Sequence, residues 1–172
     1  MFKEHVDKLN AKARRVAGHL RSLGNTKYGP PPHALRRAVK ACVMPVALYG
    51  AEAWWPGKTR QTAQGQANTK TKYLVNQLAR TTSQALRAVL PVWKTTPLTC
   101  LYRDAGIMPV SLQLEAARLR QAVRTKLLDT NHPLVLRAQA PPRRTNRGNP
   151  RPPTRLQGAY GILPKCPRPQ LV

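Results

Sequence analysis

Acidic residues are almost missing from this sequence: six Asp and Glu stand against thirty Lys and Arg, a formal net charge of +24. The six are Glu4, Asp7, Glu52, Asp104, Glu115 and Asp129, and they are scattered. Two-metal chemistry on phosphates needs clustered carboxylates to hold Mg²⁺ against the phosphate oxygens. Only Glu4 and Asp7 are close, and their i,i+3 spacing in a first helical turn is what the helix dipole favours. Cysteine is scarce as well. Cys42, Cys100 and Cys166 lie far apart with no C-x-x-C pair, which excludes a disulfide framework and a zinc site and points to a reducing, intracellular setting in nucleus or cytoplasm, without secretion. His5, His19, His33 and His132 contain no i,i+4 pair and no cysteine neighbour, so surface or capping roles are expected of them. There is no P-loop and no G-x-G-x-x-G. No catalytic residue, metal or cofactor is therefore expected in this chain. The longest apolar run, Ala41 to Ala51, is too short to span a membrane and is broken by Pro45. The first twenty residues are amphipathic and charged, unlike a signal peptide.

What is present is cationic and helical. A free globule carrying +24 repels itself, so a polyanionic partner is the natural expectation. Nucleic acid comes first, because Lys and Arg that neutralise phosphates release counterions and supply affinity without sequence readout. An anionic membrane surface ranks well behind it, and no membrane partner is expected.

The stretch from Phe2 to Asn25 predicts a helix, with Phe2, Val6, Leu9, Ala13, Val16, Leu20 and Leu23 in one stripe. Glu4 and Lys8 can pair at i,i+4. A second helix is predicted from Pro32, with Leu35, Val39, Cys42 or Val43, and Val46 inward, a kink at Pro45 and an end at Gly50. GKTRQTAQGQANT is predicted to be a long polar loop. Helix returns from about Lys70 to Leu90 through Leu74, Leu78, Ala85 or Leu86, and Val89. Thr96-Pro97 is predicted to open a short helix as cap and first-turn proline, stopped by Gly106. Pro109 is predicted to open a longer one with Leu112, Ala116, Leu119, Val123 and Leu127 inward. No run alternates as a half-buried strand does. The expectation is an all-α chain of about five helices in a small irregular bundle over residues 1–138. The Pro- and Arg-rich residues 139–172 contain no acid and are expected to form a disordered basic tail or linker.

Two residue sets are candidates for function. The basic outer faces and the tail supply Lys8, Lys12, Arg14, Arg15, Arg36, Arg37, Arg118, Arg120, Arg124, Arg143, Arg144 and Arg147 as phosphate contacts. Arginine outnumbers lysine, so planar phosphate clamps and stacking on bases are both available. The aromatics Tyr49, Trp54, Trp55 and Trp93 are taken as a structural anchor closing a small core. Base stacking on exposed aromatics is the alternative for the cluster around Trp54.

The strings FKEHVDKLNAKARRVAGHLRSLGNTKYG, LRRAVKACVMPVALYGAEAWWPG, LPVWKTTPLTCLYRDAGIMPV and LDTNHPLVLRA occur in that order. Together they resemble the region behind the catalytic palm in non-LTR, LINE-type retrotransposon reverse transcriptases, fungal elements above all. The likeness covers about Phe2 to Ala138, and TRLQGAYGILPKCPRP resembles the linker towards an RNase H domain. The resemblance implies a helical thumb and connection region that grips an RNA or RNA–DNA duplex through its phosphates and packs on the polymerase palm. The palm aspartates with their Mg²⁺, and the RNase H carboxylates, have no counterpart in these residues, so a fragment without polymerase activity of its own is expected. A basic RNA-associated scaffold of the ribosomal-protein kind shares the charge and the tail but not the ordered strings.

Overall fold

A computed structural model of the chain describes residues 2–24, 27–62, 65–68, 71–141 and 153–163. These are predominantly helical, and they divide into two compact units, residues 1–51 with 70–114 and residues 52–69 with 115–172.

In the first unit, α1 (Phe2–Leu23) is the helix its apolar stripe predicts. Val6, Leu9, Ala13 and Leu20 are buried, while Phe2 and Val16 sit at the margin and Leu23 is exposed. Asn10 and Ala17 take the remaining inward positions. Glu4 and Lys8 do not pair. The second helix is continuous but irregular: α2 (Pro32–Ala38), a π turn (Val39–Val43) and α3 (Met44–Ala47) follow without a break. Proline 45 lacks an N–H and cannot continue the ordinary ladder. The interruption takes the form of a π turn just before it, where the Met44 N–H donates to the Val39 carbonyl five residues back. That register turns Val43 inward and leaves Cys42 exposed.

The 18-residue α5 (Lys72–Val89) buries Leu78, Ala85, Leu86 and Val89. It also buries Thr81 and Thr82, whose hydroxyls donate to the carbonyls of Gln77 (3.2 Å) and Leu78 (3.0 Å), so the side chains carry their own acceptors inward. Helices α1 and α5 lie against each other, with Gln77 Nε2 donating to Asp7 Oδ1 (2.5 Å) and Arg14 Nε to Thr81 Oγ1 (3.3 Å).

The next helix, α6 (Leu98–Ala105), starts one residue later than expected. Pro97 occupies the cap position, and no side chain caps the end. It stops at Gly106, whose left-handed φ of 59° lets its N–H reach the Arg103 carbonyl (2.9 Å) while Ile107 N–H reaches that of Tyr102 (3.0 Å).

The longer α7 (Val110–Leu127) forms where Pro109 predicts it, but on a different face. Val110, Leu114, Ala117, Ala122 and Thr125 are buried, whereas Leu112, Val123 and Leu127 are exposed and Ala116 and Leu119 lie between. Apolar residues surround this helix, so periodicity offers two stripes. The buried one carries the small Ala117 and Ala122, which permit close approach, and Thr125, whose hydroxyl donates to the Gln121 carbonyl (2.8 Å).

In the second unit, the short helix α4 (Ala51–Trp54) leads to a two-stranded antiparallel ladder, β1 (Thr59–Thr62) with β2 (Gly65–Asn68), in the register Thr59 opposite Asn68 and Thr62 opposite Gly65. This corrects the loop expectation, while the described residues as a whole remain predominantly helical, as the all-α reading expects. The segment has no apolar alternation to betray a strand. Two further helices raise the count above the expected five: α8 (Pro133–Gln139) and α9 (Arg155–Ile162). Within the region expected to be a disordered tail, α9 is closed by a capping box in which Thr154 Oγ1 accepts from Gln157 N–H and Gln157 Oε1 accepts from Thr154 N–H. It rests against α8 through Gln139 Nε2 to Tyr160 Oη (3.0 Å) and Gln157 Nε2 to the Ala140 carbonyl (2.6 Å). Residues 142–152 and 164–172 of that region lie outside the described residues.

Candidate nucleic-acid interface

On α1, Lys8, Lys12, Arg15 and His19 follow one another in steps of four, three and four, a spacing that lines them along one side of the helix. All four are exposed. The three cations make no hydrogen bond or ion pair among the described residues. At about 1.5 Å per residue the row extends about 16 Å. It exists because the inward face is claimed by Val6, Leu9, Ala13 and Leu20. His19 belongs to this row although its charge-neutral class kept it out of the basic candidates.

Other candidates are committed elsewhere. Arg36 is half-buried and its Nη1 donates to the Asp104 carbonyl (2.9 Å), one of the last carbonyls of α6 that no helical N–H can reach. Arg118 forms an ion pair with Glu115 (3.0 Å), and the other oxygen of Glu115 accepts from the Trp55 indole N–H (3.1 Å). Both arginines therefore hold the fold and are withdrawn from the phosphate-contact set. Arg14 is exposed but shares its Nε with Thr81, and Arg120 returns its Nε to the Ala116 carbonyl (3.3 Å). Arg37 and Arg124 are exposed. Arg143, Arg144 and Arg147 lie outside the described residues.

The aromatic anchor is half what was expected. Trp54 and Trp55 are 2% and 3% exposed and meet edge to face, with ring centroids 6.2 Å apart. That burial removes them as stacking surfaces. Tyr49 is 69% exposed, its ring near that of His5, and Trp93 is 84% exposed, so neither belongs to the anchor. The reason is local. Tyr49 falls in the turn after α3, and Trp93 lies in the segment between α5 and α6, where neither helix covers it.

No family model, curated protein or solved structure matches the chain.

Among the described residues, no three of His, Cys, Asp and Glu come together in a way that could hold a metal ion. No described helix is long and apolar enough to cross a membrane. The strongest chemical feature of the described surface is thus positive charge on a helical scaffold with few carboxylates near enough to cancel it.

Proposed function

We propose that this chain binds nucleic acid through phosphate contacts, as a thumb and connection region of a LINE-type reverse transcriptase, and supplies no polymerase chemistry itself. The observation that carries the binding reading is the row Lys8, Lys12, Arg15 and His19, whose three cations have no partner among the described residues. Cations left in water along one helix face suit a polyanion whose charges also run in a row. A grip of that kind needs no base readout, because phosphate contacts set position and affinity without sequence information. The assignment to reverse transcriptases rests on the ordered sequence strings and their resemblance to that family.

Fluorescence anisotropy with an RNA–DNA hybrid, titrated at several salt concentrations, tests the reading. Affinity is expected to fall steeply with salt. Replacing Lys8, Lys12 and Arg15 by Gln together lowers the logarithmic salt slope by about 2 to 3, near 0.9 per lost phosphate contact. Absence of binding at low salt, or binding indifferent to salt, refutes the proposal. Mg²⁺-dependent primer extension by the purified chain refutes its second half.

A further inference from the structure

We infer that the segment Pro91 to Thr96 is a stacking platform for one unpaired base, with Trp93 as the stacking surface and Arg87 as the residue that positions it. The inference rests on the nucleic-acid reading above and narrows it to a class of ligand. Of the three tryptophans, two are buried and Trp93 alone stands in water. An indole so exposed gains nothing from burial, yet the backbone beneath it is firmly held. The Arg87 guanidinium, at the last turn of α5, donates from Nη1 to the carbonyls of Trp93 (2.9 Å) and Lys94 (2.6 Å) and from Nη2 to that of Thr96 (2.7 Å). Thr96 N–H closes the turn on the Trp93 carbonyl (3.1 Å). Pro91 and Pro97 bracket the segment and restrict its ends. A half-buried arginine thus fixes a loop whose largest side chain is left exposed. Rigid presentation of an aromatic face is what lowers the ordering cost of a stacked ligand.

The surroundings select the ligand. Lys94 is exposed beside Trp93, and no acidic residue occurs between Glu52 and Asp104. A flat π face on a segment that carries Lys94 and is held by Arg87 suits a ligand with its own π face and a negative charge, which describes a nucleotide within a strand. In a duplex the base faces are already stacked on each other, so the ligand is an unpaired base within a single strand.

The full chain is titrated with oligothymidylate and, separately, with a blunt DNA duplex. Trp54 and Trp55 are shielded, so quenching of intrinsic fluorescence by the single strand reports Trp93. Trp93→Ala is expected to weaken single-strand binding about tenfold and to leave duplex affinity and salt slope unchanged. Trp93→Phe retains most of the binding. Arg87→Lys keeps the charge, loses the three-carbonyl fork, and lowers single-strand affinity alone. Unaltered single-strand affinity in Trp93→Ala, or equal loss on both probes, overturns the platform while leaving the phosphate-binding proposal standing. If neither probe binds at low salt, the underlying reading itself fails. Should Trp93→Ala fail to fold by circular dichroism, the decision passes to wild-type quenching and to Trp93→Phe: no quenching, or a Phe variant as weak on both probes, overturns it.

Discussion

Replacing Asn10 by Leu should make the protein more stable. Asn10 lies one turn from Asp7 and one from Arg14 on the side of α1 that bonds to α5, and it is 2% exposed. Among the described residues, neither its amide nitrogen nor its amide oxygen has a hydrogen-bond partner. An amide removed from water without compensation costs roughly 1–3 kcal/mol in proteins. Leucine has the same number of side-chain heavy atoms and the same branching, so it fills the site without the two polar atoms. It also favours the helix over asparagine by about 0.5 kcal/mol. Against these gains stands the slightly larger methyl volume, for which an overpacking cost of about 1 kcal/mol is allowed. The net is a gain of about 0.5–2.5 kcal/mol, or roughly 1–10 °C in Tm for a chain of this length. Urea denaturation followed by far-UV circular dichroism measures it, with Asn10→Asp as a control that buries a charge and must destabilise. An Asn10→Leu variant less stable than the parent refutes the reasoning, since the amide would then be engaged.

Gly106→Ala forces a Cβ into the left-handed conformation that ends α6 and should cost about 1–2 kcal/mol by the same denaturation assay. Gly106→Asn should cost less, because asparagine tolerates that region better. Glu115→Ala removes the acceptor shared by the Trp55 indole and Arg118 and should cost about 1–3 kcal/mol, with a change in tryptophan emission. Glu115→Gln, which keeps an acceptor oxygen, should recover part of this. Burial pushes the Tyr102 phenol above its ordinary 10.0. The unfolded chain releases this proton first, so the stability tied to the neutral phenol is full below pH 10 and is lost as pH rises through the shifted value. Absorbance titration at alkaline pH should show one tyrosine ionising late, and Tyr102→Phe should abolish that step.

How far the fold can be foreseen depends on whether apolar residues are confined to one face. In α1 they are, and the helix and most of its inward residues follow directly from the periodicity. In α7 they encircle the helix, and only packing decides that Val110, Leu114 and Ala117 turn inward while Leu112 and Val123 face water. The β1–β2 ladder has no apolar side to announce it. The box Thr154–Gln157 that starts α9 is present in the sequence, but the surrounding Pro and Arg composition outweighs a four-residue signal. For the candidate site, cation identity is legible and cation availability is not. Nothing in the spacing of Arg36 or Arg118 distinguishes them from Lys8 and Arg15. Likewise the burial of Trp54 and Trp55 and the exposure of Trp93 are tertiary facts, since all three are simply tryptophans near proline in sequence.

The shortage of carboxylates explains how the arginines divide. In an ordinary protein a half-buried guanidinium meets Asp or Glu, and the pair cancels its own charge. Here Arg118 finds Glu115, but Arg36 and Arg87 turn to main-chain carbonyls. A carbonyl dipole satisfies the N–H donors and fixes a loop or a helix end, yet it leaves the net charge untouched. The fold can therefore tie its loops down with arginine without spending any of the positive field. Charge held this way still repels the cations of the Lys8–Lys12–Arg15 row at a distance, and a polyanion of the kind proposed above would relieve that repulsion. The same scarcity of acids that excludes a metal-binding cluster among the described residues thus keeps the surface positive after its arginines have found partners.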